Sequence, residues 1–165
     1  MKACIDEDDV FIGFNSKYYD QFIIKAICCG FSPQEVKAIN DYIIGGGQGW
    51  ECPLLHDQFF RFNNVDIKDD MQKGLSLKAI EGHLGLSVKE STVPFDIDRP
   101  LTEEERRETE FYCDHDVDTT DKLIDVRAEY LKSKISVGRM VGMSDAKALS
   151  IHSFSPMEKR ALSTR

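Results

Sequence analysis

The chain has 165 residues, 41% of them hydrophobic and 30% charged, with a formal net charge of −8. That length suits a single domain able to bury a core, no apolar run reaches the 18 or more residues that would cross a bilayer, and the net negative charge opposes non-specific gripping of phosphates. The opening stretch MKACIDEDD turns acidic by its sixth residue and carries no secretory apolar region, so a cytoplasmic protein without membrane contact is expected. Five cysteines, Cys4, Cys28, Cys29, Cys52 and Cys113, form no C-x-x-C pair. An odd number without metal-type spacing reads as free thiols. Charge is unevenly spread: acids dominate from Asp96 to Glu129, and from Leu131 onward Lys132, Lys134, Arg139, Lys147, Lys159, Arg160 and Arg165 reverse the balance. Such asymmetry permits a nucleic-acid contact.

In chain order, Val10-Phe11-Ile12-Gly13-Phe14 is a short apolar run that predicts a buried strand. Asn15 or Ser16 is placed to cap a helix over about Tyr18–Cys29, with Phe22, Ile23, Ala26 and Ile27 at helical spacing and Gly30 as its stop. Ser32-Pro33-Gln34-Glu35 predicts a second helix: Ser at the cap, Pro at the first helical position, Glu at the third. It carries Val36, Ile39, Ile43 and Ile44 and ends at Gly45. The run Gly45-Gly46-Gly47-Gln48-Gly49 has no strand before it and no Lys-Ser/Thr after it, so a flexible connection is expected rather than a phosphate loop. Phe59–Phe62 and Asn63–Ile67 are candidate short strands. Ser76–Leu84 is a short helix with Leu77, Ile80 and Leu84 on one face. Val88–Arg99 is irregular, and Thr102-Glu103-Glu104-Glu105 is a capping box opening a long helix to about Lys132. Cys113, Val117, Thr120, Ile124 and Leu131 follow its 3-4 spacing and predict its buried face. The alternation of short strands and helices gives an α/β class, helix-rich, with part of a parallel sheet.

Two clusters could carry chemistry. Asp20 follows a strand at a helix start, the end of the sheet where α/β proteins place their sites; a solvated first-turn Asp stabilised by the helix dipole is the alternative. In Tyr112-Cys113-Asp114-His115-Asp116-Val117-Asp118, Tyr112 and Asp116 are four apart and share a helix face, where a phenol and a carboxylate can jointly hold a water or a metal-bound water. A charged helix surface with one amphipathic Tyr is the alternative. Asp114 and Asp118 point elsewhere, and His115 reads as a surface or supporting group.

Together, a carboxylate at a strand end and Tyr-x-x-x-Asp on a late helix resemble the DEDD exonuclease superfamily, in its Tyr-bearing variant. The strings GFNSKYYDQFIIKAI, ESTVPFDIDRPLTEEE and YCDHDVDTT, in this order, are similar to the exonuclease region of phage and prophage DNA polymerases, from about Asp9 to about Ser150. The resemblance implies an RNase H-like exonuclease fold, here incomplete and with a reduced sheet. It implies a partial exonuclease-like domain over 1–136 and a basic C-terminal extension over 137–165, partly disordered. The implied activity is 3′→5′ exonucleolytic cleavage of single-stranded DNA or a DNA 3′ end. By the same resemblance Asp20 takes part in the metal site, Asp116 is a direct metal ligand, Tyr112 helps orient the attacking water and Asn15 positions the substrate strand. The implied chemistry is hydrolysis with two Mg²⁺ or Mn²⁺ ions ~3.5–4 Å apart, held by carboxylates because hard cations take oxygen ligands.

The pattern breaks at its start. The family's first motif, Asp-x-Glu on an earlier strand, lies several tens of residues before the second, whereas fourteen residues precede Asn15 here. The acidic run Asp6-Glu7-Asp8-Asp9 adjoins the Val10 strand and reads as a solvated turn. Val137–Ser150 still resembles the family and IHSFSPMEKRALSTR does not, so a truncated prophage product cut at both ends is expected. Three function classes follow: an exonuclease that needs Asp-x-Glu from elsewhere, an inactive remnant that binds nucleic acid or a protein partner, or a structural oligomer with no nucleic-acid role. A sheet lacking its first strands is expected to self-associate into a homo-oligomer through the edge at Val10–Phe14.

Overall fold

Val10–Gly13 forms strand β1, which pairs in parallel with β2, Asn63–Asp66, in the register Val10 with Asn63 through Gly13 with Asp66. The structure, a computed structural model, describes residues 9–57, 63–71, 74–94, 97 and 99–151. The candidate strand Phe59–Phe62, the acids Asp6–Asp8 and the tail from His152 lie outside those residues. The described chain divides into two compact units, residues 1–71 with 133–165, and residues 72–132.

In the first unit, β1 is followed by helix α1, Asp20–Cys28, and helix α2, Pro33–Ile44, before the chain returns to β2. The expected cap at Asn15 or Ser16 is not made. Tyr19 occupies the cap position without a side-chain bond, because both candidates have other work. Asn15 sits in the left-handed region at φ 61°, and the Ser16 hydroxyl donates to Asn64 Oδ1 at 3.1 Å. Gly13 makes the turn possible, since a Cβ there would lie 2.6 Å from the Ser16 side chain. The second helix starts as its sequence dictates: Ser32 Oγ accepts from the Glu35 N–H, and the Glu35 carboxylate accepts from the Ser32 N–H at 2.8 Å. Phe22, Ala26, Ile39, Cys52 and Leu55 form the core between these helices, flanked by Ile23, Phe31, Val36 and Ile43. Ile44, expected on the same face, is 73% exposed; it falls in the last turn, where the stripe has run past its partner. The glycine run closes α2 with the Gly46 and Gly47 N–H groups on Ile43 and Tyr42 carbonyls. It then enters a 3₁₀ turn, Gly49–Glu51. Gly49 is required there, since a Cβ would meet the Phe22 ring at 2.1 Å.

Helix α5, Ala128–Met140, runs uninterrupted through residues 136 and 137, and α6, Asp145–Ser150, follows. Within the first unit, α6 packs near β2. Lys134 donates to the carboxylate of Asp70 and, at 2.9 Å, to the carbonyl of Leu149. Both members of the Lys134–Asp70 pair are 8% exposed at the side chain, so the charges are buried together, as burial requires.

The second unit holds α3, Leu77–His83, and α4, Glu103–Val126. Ser76 caps α3 through the Ala79 N–H, and Thr102 with Glu105 closes the capping box of α4. Arg99 grips Glu105 with two bonds of 2.7 and 2.8 Å. That pairing, with the Thr102 N–H, takes the Glu105 carboxyl down to about 2. The helix expected to run to about Lys132 ends at Val126, and Arg127 interrupts it before α5. The expected buried face is also displaced. Leu131 is buried as expected, but Val117 is 67% exposed and Cys113 is exposed, whereas Thr119 and Leu123 are buried. The 3-4 spacing was right and its phase was wrong by a residue or two, because α4 turns toward a polar partner on α3 rather than toward apolar chain alone.

The described molecule is helix-rich with a small two-stranded parallel sheet, within a general α/β class. None of its described helices is long and apolar enough to cross a membrane.

Candidate functional site

In the first unit the residues of interest gather where both parallel strands end. Asp66 closes β2 and is buried, 8% exposed. Its carboxylate accepts from the backbone N–H groups of Asn15 at 2.8 Å, Lys17 at 3.1 Å and Lys68 at 3.0 Å. One side chain thus fixes the turn after β1 and the turn after β2. Charge-assisted bonds of this kind are about twice as strong as neutral ones.

Asp20 is the first residue of α1. Its side chain reaches solvent, but the packed turn strips water from it and pushes its carboxyl above the usual aspartate range. The charge of Asp66 pushes the same way, while its own backbone N–H opposes. The neighbouring Tyr19 hydroxyl donates to Asn40 Oδ1 on α2 at 2.6 Å. Asn15, the expected substrate-positioning residue, is exposed, and its Oδ1 accepts from Lys68 Nζ at 3.1 Å.

In the second unit, Tyr112 and Asp116 lie one turn apart on α4, both half-buried. Opposite them, α3 contributes Glu81, which is 1% exposed. Thr119 Oγ1 donates to Glu81 Oε1 at 2.8 Å, and His115 Nε2 lies 2.8 Å from the same oxygen, in ion-pair range without hydrogen-bond alignment. Burial pushes the Asp116 carboxyl up, and the Glu81 charge adds to it; His115 and Lys78 oppose. The Tyr112 phenol is raised, first by burial and then by Asp116, so it keeps its proton at neutral pH. Lys78 Nζ donates to Glu90 at 2.9 Å, and this bond, with the fields of Tyr112 and Asp116, holds its ammonium above the usual range. Asp114 and Asp118 are exposed, as their helix phase requires.

Sequence inspection overlooked Asp66, Glu81 and Lys78. Signals existed for two of them. Asp66 ends a candidate strand, a placement like the one that singled out Asp20. Glu81 lies on the stripe of Leu77, Ile80 and Leu84, where a carboxylate must be buried or must break the face.

Among the described residues, no group of three or more His, Cys, Asp or Glu side chains could hold a metal ion. Glu81, whose charge acts on Asp116, is already engaged by Thr119 and His115. The donor set described therefore does not fit a two-metal centre, which needs several free carboxylate oxygens. No protein-family model matches the chain, and neither a curated protein nor a solved structure matches it significantly.

Proposed function

We propose that this chain is a 3′→5′ exonuclease-type domain of the kind found in phage and prophage DNA polymerases, with an RNase H-like ancestry, acting on a single-stranded DNA 3′ end. The observation that carries this reading is Asp116. It is a half-buried carboxylate beside the fully buried Glu81, one turn from a protonated Tyr112. A site that makes a negative charge costly, in a segment reading Tyr-x-x-x-Asp, suits a carboxylate that meets a cation or substrate in use. Asp20, with its carboxyl also raised, is the second member of the set.

Mg²⁺ or Mn²⁺ is the cofactor that the resemblance implies. The residues described fall short of holding it, and the Asp-x-Glu pair of the resembled family is not among them. In this reading Tyr112 donates a hydrogen bond toward the reacting phosphate or its water, and Asn15 touches the substrate strand. The test is degradation of 5′-labelled single-stranded DNA by the full chain with Mn²⁺. Shortening from the 3′ end that disappears in Asp116→Ala and in Asp20→Ala is expected; activity unchanged in both variants would remove the site assignment.

The lack of a metal-holding group among the described residues favours a second reading: a nucleic-acid-binding domain without turnover. It predicts salt-sensitive DNA binding and no shortening in the same assay.

A further inference from the structure

Tyr18 and Trp50 are 51% and 56% exposed, and they touch each other, with ring centroids 6.3 Å apart and planes at 61°. Trp50 is also backed by the core ring of Phe22, 6.4 Å away. One exposed aromatic needs no explanation; two in edge-to-face contact, anchored on a buried third, form a fixed apolar step with outward faces. The step is built by the chain around it. The close passage of Gly49 over Phe22 sets Trp50 in place, and the Asp66-held turn sets Tyr18.

Two lysines reach the turn that carries Tyr18, in a chain whose net charge is −8. Lys17 Nζ lies 5.9 Å from the Tyr18 ring centroid and pairs with Asp69 at 3.3 Å. The ammonium of Lys68 is held by neutral groups, Asn15 Oδ1 at 3.1 Å and the Phe14 ring at 5.5 Å to its centroid. Aromatic faces beside lysines at the carboxyl end of a sheet match the chemistry of a base stacked on a ring with its phosphate on an ammonium.

We propose that Tyr18 and Trp50 form a stacking platform for single-stranded DNA, with Lys68 as its phosphate contact. The proposal rests on the nucleic-acid reading above for its ligand class and assigns that ligand a place of its own. Two bases, or a base and a sugar edge, stack on the two rings, independently of any cleavage centre.

Trp50 is the sole tryptophan, so its fluorescence reports on the platform alone. The full chain is titrated with a dT oligomer in EDTA, where no hydrolysis occurs, following Trp50 emission and, in parallel, the anisotropy of fluorescein-labelled dT. Quenching that tracks the anisotropy and weakens with salt is expected. Tyr18→Ala and Trp50→Ala should each weaken binding roughly 5- to 100-fold, the range for loss of one stacking partner. Lys68→Ala should weaken it and flatten the salt dependence by about one phosphate. Far-UV circular dichroism establishes that each variant is folded, and Tyr18→Ala serves alone if Trp50→Ala is not. Anisotropy that rises without any change in Trp50 emission, and is unaffected by either aromatic substitution, overturns the platform while leaving the nucleic-acid reading intact. No dT binding overturns the platform too, and the Mn²⁺ degradation assay then judges the function separately. Trp50 emission that shifts with protein concentration, without DNA, overturns it in favour of an interface between copies of this chain.

Discussion

Asp66 and Asp116 are both carboxylates withdrawn from water, and they are treated in opposite ways. Asp66 is surrounded by backbone N–H donors, three of them from two turns. Asp116 has another carboxylate, Glu81, in its field, and His115 and Lys78 relieve it. Backbone donors are rigid and already oriented, so a carboxylate among them serves to hold the chain. A carboxylate set beside a like charge stores unfavourable energy, and that is the condition in which ligands and protons bind. Burial alone therefore does not separate a structural acid from a functional one; the identity of its neighbours does.

The largest effect that would sharpen this contrast is expected from Asp66→Ala. Three N–H donors lose a charged acceptor in a half-buried turn, and urea unfolding should show a loss of about 3–4 kcal/mol. A loss under 1 kcal/mol would show that water replaces the carboxylate and that the turn does not depend on it. Next is Glu81. Glu81→Ala leaves a cavity and an orphaned Thr119 hydroxyl, costing about 2–3 kcal/mol. Glu81→Gln keeps an acceptor for Thr119 and removes the charge. It should cost little and bring the Asp116 carboxyl down toward its ordinary range, read by NMR titration of the Asp116 side chain. An unmoved Asp116 would mean that burial, and not Glu81, governs it.

Gly49→Ala follows, at about 1–2 kcal/mol, because the added methyl would overlap the Phe22 ring and the core must shift; a neutral result in thermal unfolding would mean that Phe22 moves aside freely. The smallest effect is expected from Asp116→Asn, and its sign is diagnostic. A carboxyl raised on folding favours the native state while protonated, and that contribution is lost as pH rises from the ordinary aspartate value through the raised one. The substitution should thus raise Tm slightly at neutral pH and make no difference below the ordinary aspartate value, while removing any nuclease activity. A lowered Tm at neutral pH would place Asp116 with Asp66, among the acids that hold the fold.

Much of the local structure was legible because its causes are local. Ser32 with Glu35, Ser76, and Thr102 with Glu105 announce three helix starts within four residues of chain. The strand at Val10 is a short apolar run, while the one at Asn63 carries Val65 alone among polar residues and is fixed by pairing with β1. The cap of α1 was misread because Ser16 bonds to Asn64, a partner 48 residues away. The face of α4 was misread because apolar periodicity cannot register a buried Glu81 that draws Thr119 and His115 inward. Asp20, Tyr112 and Asp116 were identified from motif spacing, and their raised titration is a property only of packed surroundings.

By itself, the sequence determined where helices begin, which thiols and acids exist to be used, and the Tyr112–Asp116 spacing on one helix face; each follows from bonds reaching one turn or less. Tertiary structure alone decided which acid is satisfied and which is not. Asp66 reaches Asn15 and Lys17 across 51 and 49 residues, and Glu81 reaches Thr119 across 38. The cost of a buried charge depends on the groups brought around it, and not on the residues beside it in the chain.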